Sequence, residues 1–360
     1  MRKKTGKIAT GIIIVAVILL ITGITVMNQF FCRNEYAEDR YGMFWDDPGE
    51  YDVWFLGSSH TYYAVHPMDL WQSYGITSYD IAAPSSTLPM TYWTLMCALE
   101  RGTPEVVFVD VYHTDLDKLI TEMPEKVHIG LDAIPLSLMK IRAVDDLFET
   151  FAEKREHLIP LYKKDGKWAE YIQVNEDLDF PLARGAMLMA DSGSISSNTV
   201  YPKDDVLTND TLGTVYLRKI INECRERDIN LVITAFPYTG DEIKQQGLHS
   251  GIKIAEEEGV PFLDLSYCPE LVDYRTDFAE DGHLNIAGSR KTTSLIGKYL
   301  EENYELADHR QDEETAASWN EDRQKLKKEI AGRTKKTNSL KKYLIWMRHS
   351  MYDPYIYIKD

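Results

Sequence analysis

Residues 53–63 read VWFLGSSHTYY. From Tyr51 to Leu56 the chain is mostly aromatic and aliphatic, and the run stops at Gly57. A short, continuous apolar run ending in glycine has the pattern of a strand buried on both faces. Two serines and a histidine follow at once. A hydroxyl in that place either caps the next helix or is a nucleophile presented at a strand end. The choice depends on what the rest of the chain brings to Ser58 and Ser59.

Outward from this stretch, strands and helices alternate. HPMDLWQSYG (66–75) has Pro67 suited to a first helical turn and Gly75 suited to a stop. SYDIAA (78–83) is a second strand, and TLPMTYWTLMCALERG (87–102) has apolar residues at helical spacing before Gly102. EVVFVDVY (105–112) is the clearest central strand. The amphipathic helix 211–228, the strand INLVITAFP (229–237), the helix 240–259, the strand VPFLDLS (260–266) and the helix 285–304 complete the series. Continuously apolar strands separated by helices predict a mostly parallel sheet of about five strands, covered on both faces. The expected fold class is therefore a three-layer α/β/α sandwich, spanning residues 45–305. Sites in such folds lie at the carboxyl ends of the strands, where the GSSH motif sits.

Residues 114–210 break the alternation with helical fragments and the polar loop ADSGSISSNTVYP, and read as an insertion capping the sheet edge or the site. Residues 306–360 form a charged, helical C-terminal extension, with DPYIYIKD as a strand at its end. At the other end, four basic residues lie within 1–7, and no charge follows until Arg33. A run of this length suffices for a membrane-spanning helix, and the basic flank points the tail to the cytoplasm. The reading is a cytoplasmic tail (1–7), a signal anchor (8–30) and an extracytoplasmic domain at the plasma membrane. The net charge of −17 disfavours nucleic acid as a partner, and the hydrophobic fraction of 44% supports a sizeable core. The four cysteines show no metal-ligand spacing, and no disulfide is assigned.

A serine becomes a nucleophile when a base lies within hydrogen-bond reach and a third group orients that base. DFAEDGHLNIAG (277–288) supplies the best partner: His283 in a polar loop before a helix, with Asp277, Glu280 and Asp281 upstream. Asn285 is suited to cap that helix. Asp110, at a strand end, is a candidate site wall or a cap of the next turn, His60 reads as a structural strand-end residue with support of the serine as the alternative, and Asp264 reads as structural. Tyr62, Tyr63, Trp71, Tyr92 and Trp93 read as core, with the lining of a sugar-binding cleft as the alternative.

The pair FLGSSH and DGHLNIAG resembles the SGNH/GDSL hydrolase superfamily, in which an early strand ends in Gly-Asp-Ser and a late Asp-x-x-His precedes a helix. The Gly-Ser-Ser variant and the apolar N-terminus resemble its membrane-anchored branch, which includes the D-alanyl transfer protein of teichoic acid modification and the alginate O-acetylation proteins. The resemblance implies Ser59 as nucleophile, with Ser58 in the Asp slot, and His283 as base. Asp281, two before the histidine, is the expected acid, and Glu280, three before it, is the alternative. The chain departs from the family pattern after the second strand (APSSTLP) and the third (VDVYHTD), where no Gly-Asn block supplies an oxyanion hole. The Ser59 N–H and groups near Ser85 and Ser86 are the expected substitutes. The implied function is a serine esterase or O-acyltransferase, acting on acyl esters of a cell-envelope glycan or polymer. It needs no metal or cofactor and has a multipass membrane acyltransferase as a partner. The alternative is an inactive assembly or carbohydrate-binding protein on the same fold.

Overall fold

The computed structural model describes residues 2–33, 44–45, 47, 49–159, 181–189, 200–238, 240–280 and 282–348. Helix α1 (Arg2–Arg33) precedes the sheet domain. It contains the expected anchor segment 8–30, and its described side chains include Ile12, 64% exposed, and Leu19, 67% exposed. Among the described residues, no helix is long and apolar enough to cross a membrane.

The sheet domain begins with β1 (Val53–Leu56), the short helix α2 (Ser59–Tyr62) and α3 (Pro67–Tyr74). Pro67 opens α3 and Gly75 closes it in the left-handed region at φ 73°, as their positions predict. β2 (Ser78–Asp80), α4 (Leu88–Ala98) and β3 (Val106–Asp110) follow. The insertion carries α5 (Pro124–Leu131), α6 (Leu138–Leu147) and α7 (Phe151–Leu158). The chain returns to the sheet through α8 (Leu212–Glu226), β4 (Asn230–Ala235), α9 (Glu242–Glu258) and β5 (Phe262–Asp264). A small antiparallel pair, β6 (Phe278–Glu280) and β7 (His283–Leu284), leads into α10 (Ile286–Asn303), which Asn285 caps through Ala287 N and Gly288 N. Helix α11 (Glu313–Arg348) ends the described chain.

The five main strands are all parallel, in the order β2-β1-β3-β4-β5. Alternate residues of each strand enter opposite faces, the period-two rule of extended backbone. Trp54, Leu56, Val107, Val109 and Ile233 join one core, while Val53, Phe55, Val106, Phe108 and Val232 join the other. Both sets are buried, which is why the strands read as unbroken apolar runs. The chain winds outward from β1 in both directions, so the gap between the carboxyl ends of β1 and β3 is the switch point of this sheet. Open α/β folds place their ligands there.

The insertion packs its helices α5 and α6 on α4, a helix covering one sheet face. The C-terminal extension folds back onto the domain. Trp319 stacks on Trp71 at 5.1 Å, and Arg184 pairs with Asp322 at 2.6 Å. The expected terminal strand DPYIYIKD lies outside the described residues.

Candidate active site

Gly57 ends β1 with φ +148°, a conformation that side chains disfavour. A Cβ there would also lie 2.5 Å from Thr61 Oγ1 and 2.6 Å from Asp110 Cβ. Only glycine lets β1 turn this tightly against the end of β3. Ser58 then caps α2, its hydroxyl accepting from His60 N, and Ser59 is the first residue of that helix. As a first-turn residue, Ser59 has a backbone N–H with no acceptor inside its own helix.

Ser59 and His283, 224 positions apart, meet at 2.8 Å between Oγ and Nε2. His283 reaches this point on β7, whose register pairs it with Glu280 of β6. Its ring lies 4.5 Å from that of Tyr63 and 5.2 Å from that of His60. Both Ser59 and His283 are half-buried, accessible from the sheet's carboxyl edge. The expected acid, Asp281, lies outside the described residues, as does the side chain of Glu280.

The two serines expected at the oxyanion hole divide. Ser86 has its donors engaged: its N–H binds Ala83 O at 3.2 Å, and its hydroxyl shares a bond with Thr91 Oγ1 at 3.2 Å. Its carbonyl receives His113 Nδ1 at 2.8 Å. Burial holds the His113 imidazole down at about 3, so Nδ1 carries its single proton. Ser85 is the different member, held in the left-handed region at φ 53° and half-buried. The loop carrying it is tied to the turn before Ser59 through Ala83 N to Gly57 O at 3.1 Å.

Tyr63 and His60 lie against the pair, and Asp110, the candidate site wall of the sequence, stands behind Ser58. Asp110, at the end of β3, accepts from Ser58 Oγ at 3.1 Å and from Tyr112 N at 3.2 Å. Burial pushes its carboxyl up to about 7, with the bonds from Ser58 and Tyr112 lowering it only in part. His60 stacks on Tyr112 at 3.7 Å, with Nδ1 3.3 Å from Ser58 Oγ. Tyr63 packs on His283 itself. The adjacent letters of GSSH were the one signal for His60. For Asp110 the signal was its strand-end position, which marked it as a candidate site wall.

Among the described residues, one group has metal-ligand chemistry: His128, Asp132 and His157 in the insertion. Each histidine places Nδ1 on its own Asp132 oxygen, at 2.8 and 3.1 Å, and the rings stack at 4.3 Å. Burial works to raise the Asp132 carboxyl, but hydrogen bonds from His128 and His157 outweigh it and hold the group below its usual range. Buried Lys140 binds the Asp132 and Ile134 backbone carbonyls beside them. A divalent cation on Asp132 would compete with both imidazoles for the carboxylate oxygens they already occupy. We read the cluster as a structural lock.

No protein-family model and no curated protein matches the chain. Among solved structures it is similar to a protein of Desulfitobacterium hafniense DCB-2 described as lipolytic and of the G-D-S-L family, with 10% identity and a TM-score of 0.35, covering 69% of this chain and 99% of that one. It is also similar to an active-site mutant of a family two carbohydrate esterase of Clostridium thermocellum, with 9% identity and a TM-score of 0.34, covering 71% of this chain and 64% of that one. The fold assignment rests on the strand order and register themselves.

Proposed function

We propose that the chain is a serine esterase or O-acyltransferase of the SGNH type, acting on acyl esters of a cell-envelope polysaccharide or polymer. The observation that carries this reading is the 2.8 Å contact between Ser59 Oγ and His283 Nε2 at the switch point of the sheet. Ser59 attacks the acyl carbonyl as its proton passes to Nε2 of His283. The Ser59 N–H and the Ser85 backbone serve as donors to the oxyanion. His283 returns its proton to the leaving oxygen, and water or a glycan hydroxyl then releases the acyl group by the same steps in reverse. Asp281, or Glu280, orients His283. Residues 8–30 hold the domain at the membrane, beside a multipass acyltransferase that supplies or receives the acyl group. The apolar side chains exposed on α1 support the anchor.

A fluorophosphonate probe tests the nucleophile. The wild-type chain should label and Ser59→Ala should not, while His283→Ala should slow labelling by at least about 10³-fold. Equal labelling of wild type and Ser59→Ala overturns the assignment. The engagement of Ser86 favours a second reading, a non-catalytic glycan-binding protein on this fold. Turnover of p-nitrophenyl acetate that is lost in His283→Ala rejects it.

A further inference from the structure

Directly behind Ser59 lie three buried residues in hydrogen-bond sequence: Asp110, Ser58 and His60. A buried carboxylate ordinarily has a cation in contact. Lys244, whose field reaches Asp110, instead pairs with Asp115 at 2.7 Å. Burial, with the fields of His283, His113 and Lys244, holds the His60 imidazole well below its ordinary range, so the ring stays neutral. Its Nε2 faces the β6–β7 turn, 3.5 Å from where a Cβ on Gly282 would stand. A neutral imidazole has one N–H and a hydroxyl one O–H. The trio therefore has two self-consistent directions of hydrogen bonding.

We propose that Asp110, Ser58 and His60 form a proton wire joining the buried carboxyl to the cleft beside His283. With Asp110 ionised, Ser58 donates to it, His60 Nδ1–H donates to Ser58 Oγ, and Nε2 presents a lone pair to the cleft. When a proton arrives at Nε2, the Nδ1 proton passes to Ser58 Oγ and the former hydroxyl proton passes to Asp110. One proton enters and is stored on Asp110. His60 is left neutral, with N–H now on Nε2. Ser58 Oγ accepts from His60 N in both states, so the helix cap is kept throughout. The wire itself stands on these three residues alone. Its consequence, a cleft imidazole that is an acceptor above the transition and a donor below it, rests on the acyl-transfer reading.

The titratable groups facing the trio are Tyr112 and His113 beyond β3, Tyr238 beyond β4, Lys244 of α9 and His283 of β7. Burial pushes the Tyr112 hydroxyl up to about 12 and Tyr238 higher, and holds His113 at about 3. The measurement is the imidazole nitrogen chemical shifts of the full chain with ¹⁵N-histidine, assigned through His60→Gln. In wild type, lowering the pH from about 9 to about 5 should move the His60 proton from Nδ1 to Nε2 without forming imidazolium. Asp110→Asn donates from its amide at every pH and should fix His60 as Nε2–H. Ser58→Ala should uncouple the two groups. The His60 transition should persist in His283→Gln, which removes the facing imidazole. One tautomer at both pH extremes, an imidazolium, or an Asp110→Asn variant that titrates like wild type overturns the wire. Phosphonate labelling of the same samples reports separately on Ser59, so a failure of the acyl-transfer reading is distinguishable.

Discussion

Replacing Asp110 with asparagine should stabilise the folded chain, and by more at alkaline than at acid pH. The carboxyl is 3% exposed and titrates at about 7 when folded, against 3.8 in the unfolded chain. Between these values the folded state binds a proton that the unfolded state has lost. Stability contributed by the protonated form is therefore present below the unfolded value, declines as the pH rises, and stops declining once the folded group ionises. The separation corresponds to a full penalty of about 4 kcal/mol at 1.36 kcal/mol for each pH unit. Of that, about 2 kcal/mol has already been lost by pH 5, and the remaining 2–3 kcal/mol should appear between pH 5 and pH 8.

Asparagine keeps the local geometry, with its oxygen accepting from Tyr112 N and its amide donating to Ser58, but it never ionises. The gain in unfolding free energy of Asp110→Asn over wild type should thus be larger at pH 8 than at pH 5 by about 2–3 kcal/mol. Urea denaturation of both proteins at the two pH values measures it, and taking the difference between variants cancels the titration of every other group. An equal gain at the two pH values, or a net loss at pH 8, would refute a buried carboxyl without a contacting cation.

Other perturbations probe the turn, the lock and the anchor. Gly57→Ala should destabilise the chain by about 1–3 kcal/mol and suppress phosphonate labelling, since its Cβ meets Thr61 and Asp110; labelling at the wild-type rate would show that the turn does not aim Ser59. Asp132→Asn should lower the unfolding free energy at pH 7 by about 1–3 kcal/mol, as expected when one buried imidazole N–H loses its carboxylate acceptor, measured by urea denaturation. The cost of His157→Gln should shrink as the pH falls below about 6.5. Burial lowers the folded His157 below its ordinary value, so the unfolded histidine takes up its proton first and wild type loses stability that glutamine does not. Deleting residues 2–33 should move the chain from the detergent phase to the aqueous phase on Triton X-114 partition, and an unchanged distribution would remove the anchor.

The sheet was legible in the sequence because strands buried on both faces cannot alternate in polarity. VVFVD and NLVITA show this in their letters, and the helices between them carry their own caps. The pairing of Ser59 with His283 was legible because each residue stands in a local signature, one at a strand's end and one before a capped helix. Asp110 was not. A carboxylate after a strand usually satisfies the next turn, as this one does with Tyr112 N. What sets it apart is burial with no cation in contact among the described residues, a property of three elements meeting and of no single stretch. Ser86 shows the same limit. Its bonds to Ala83, Thr91 and His113 come from the fold around it, and nothing in APSSTLP separates it from Ser85.

The adjacency of Ser58 and Ser59 follows from this arrangement. Gly57 turns β1 directly into the first turn of α2, so consecutive residues there point apart. The cap position faces the sheet end, where Asp110 waits, and the first helical position faces the edge, where β7 brings His283. A larger residue in the cap slot would meet Asp110, while an apolar one would leave the His60 N–H without its acceptor and the carboxyl with one partner fewer. Serine fits both demands, and because its hydroxyl donates as well as accepts, it also lets His60 respond to the charge on Asp110. The double serine therefore places one hydroxyl on His283 and, in the wire proposed above, one between His60 and the buried carboxyl.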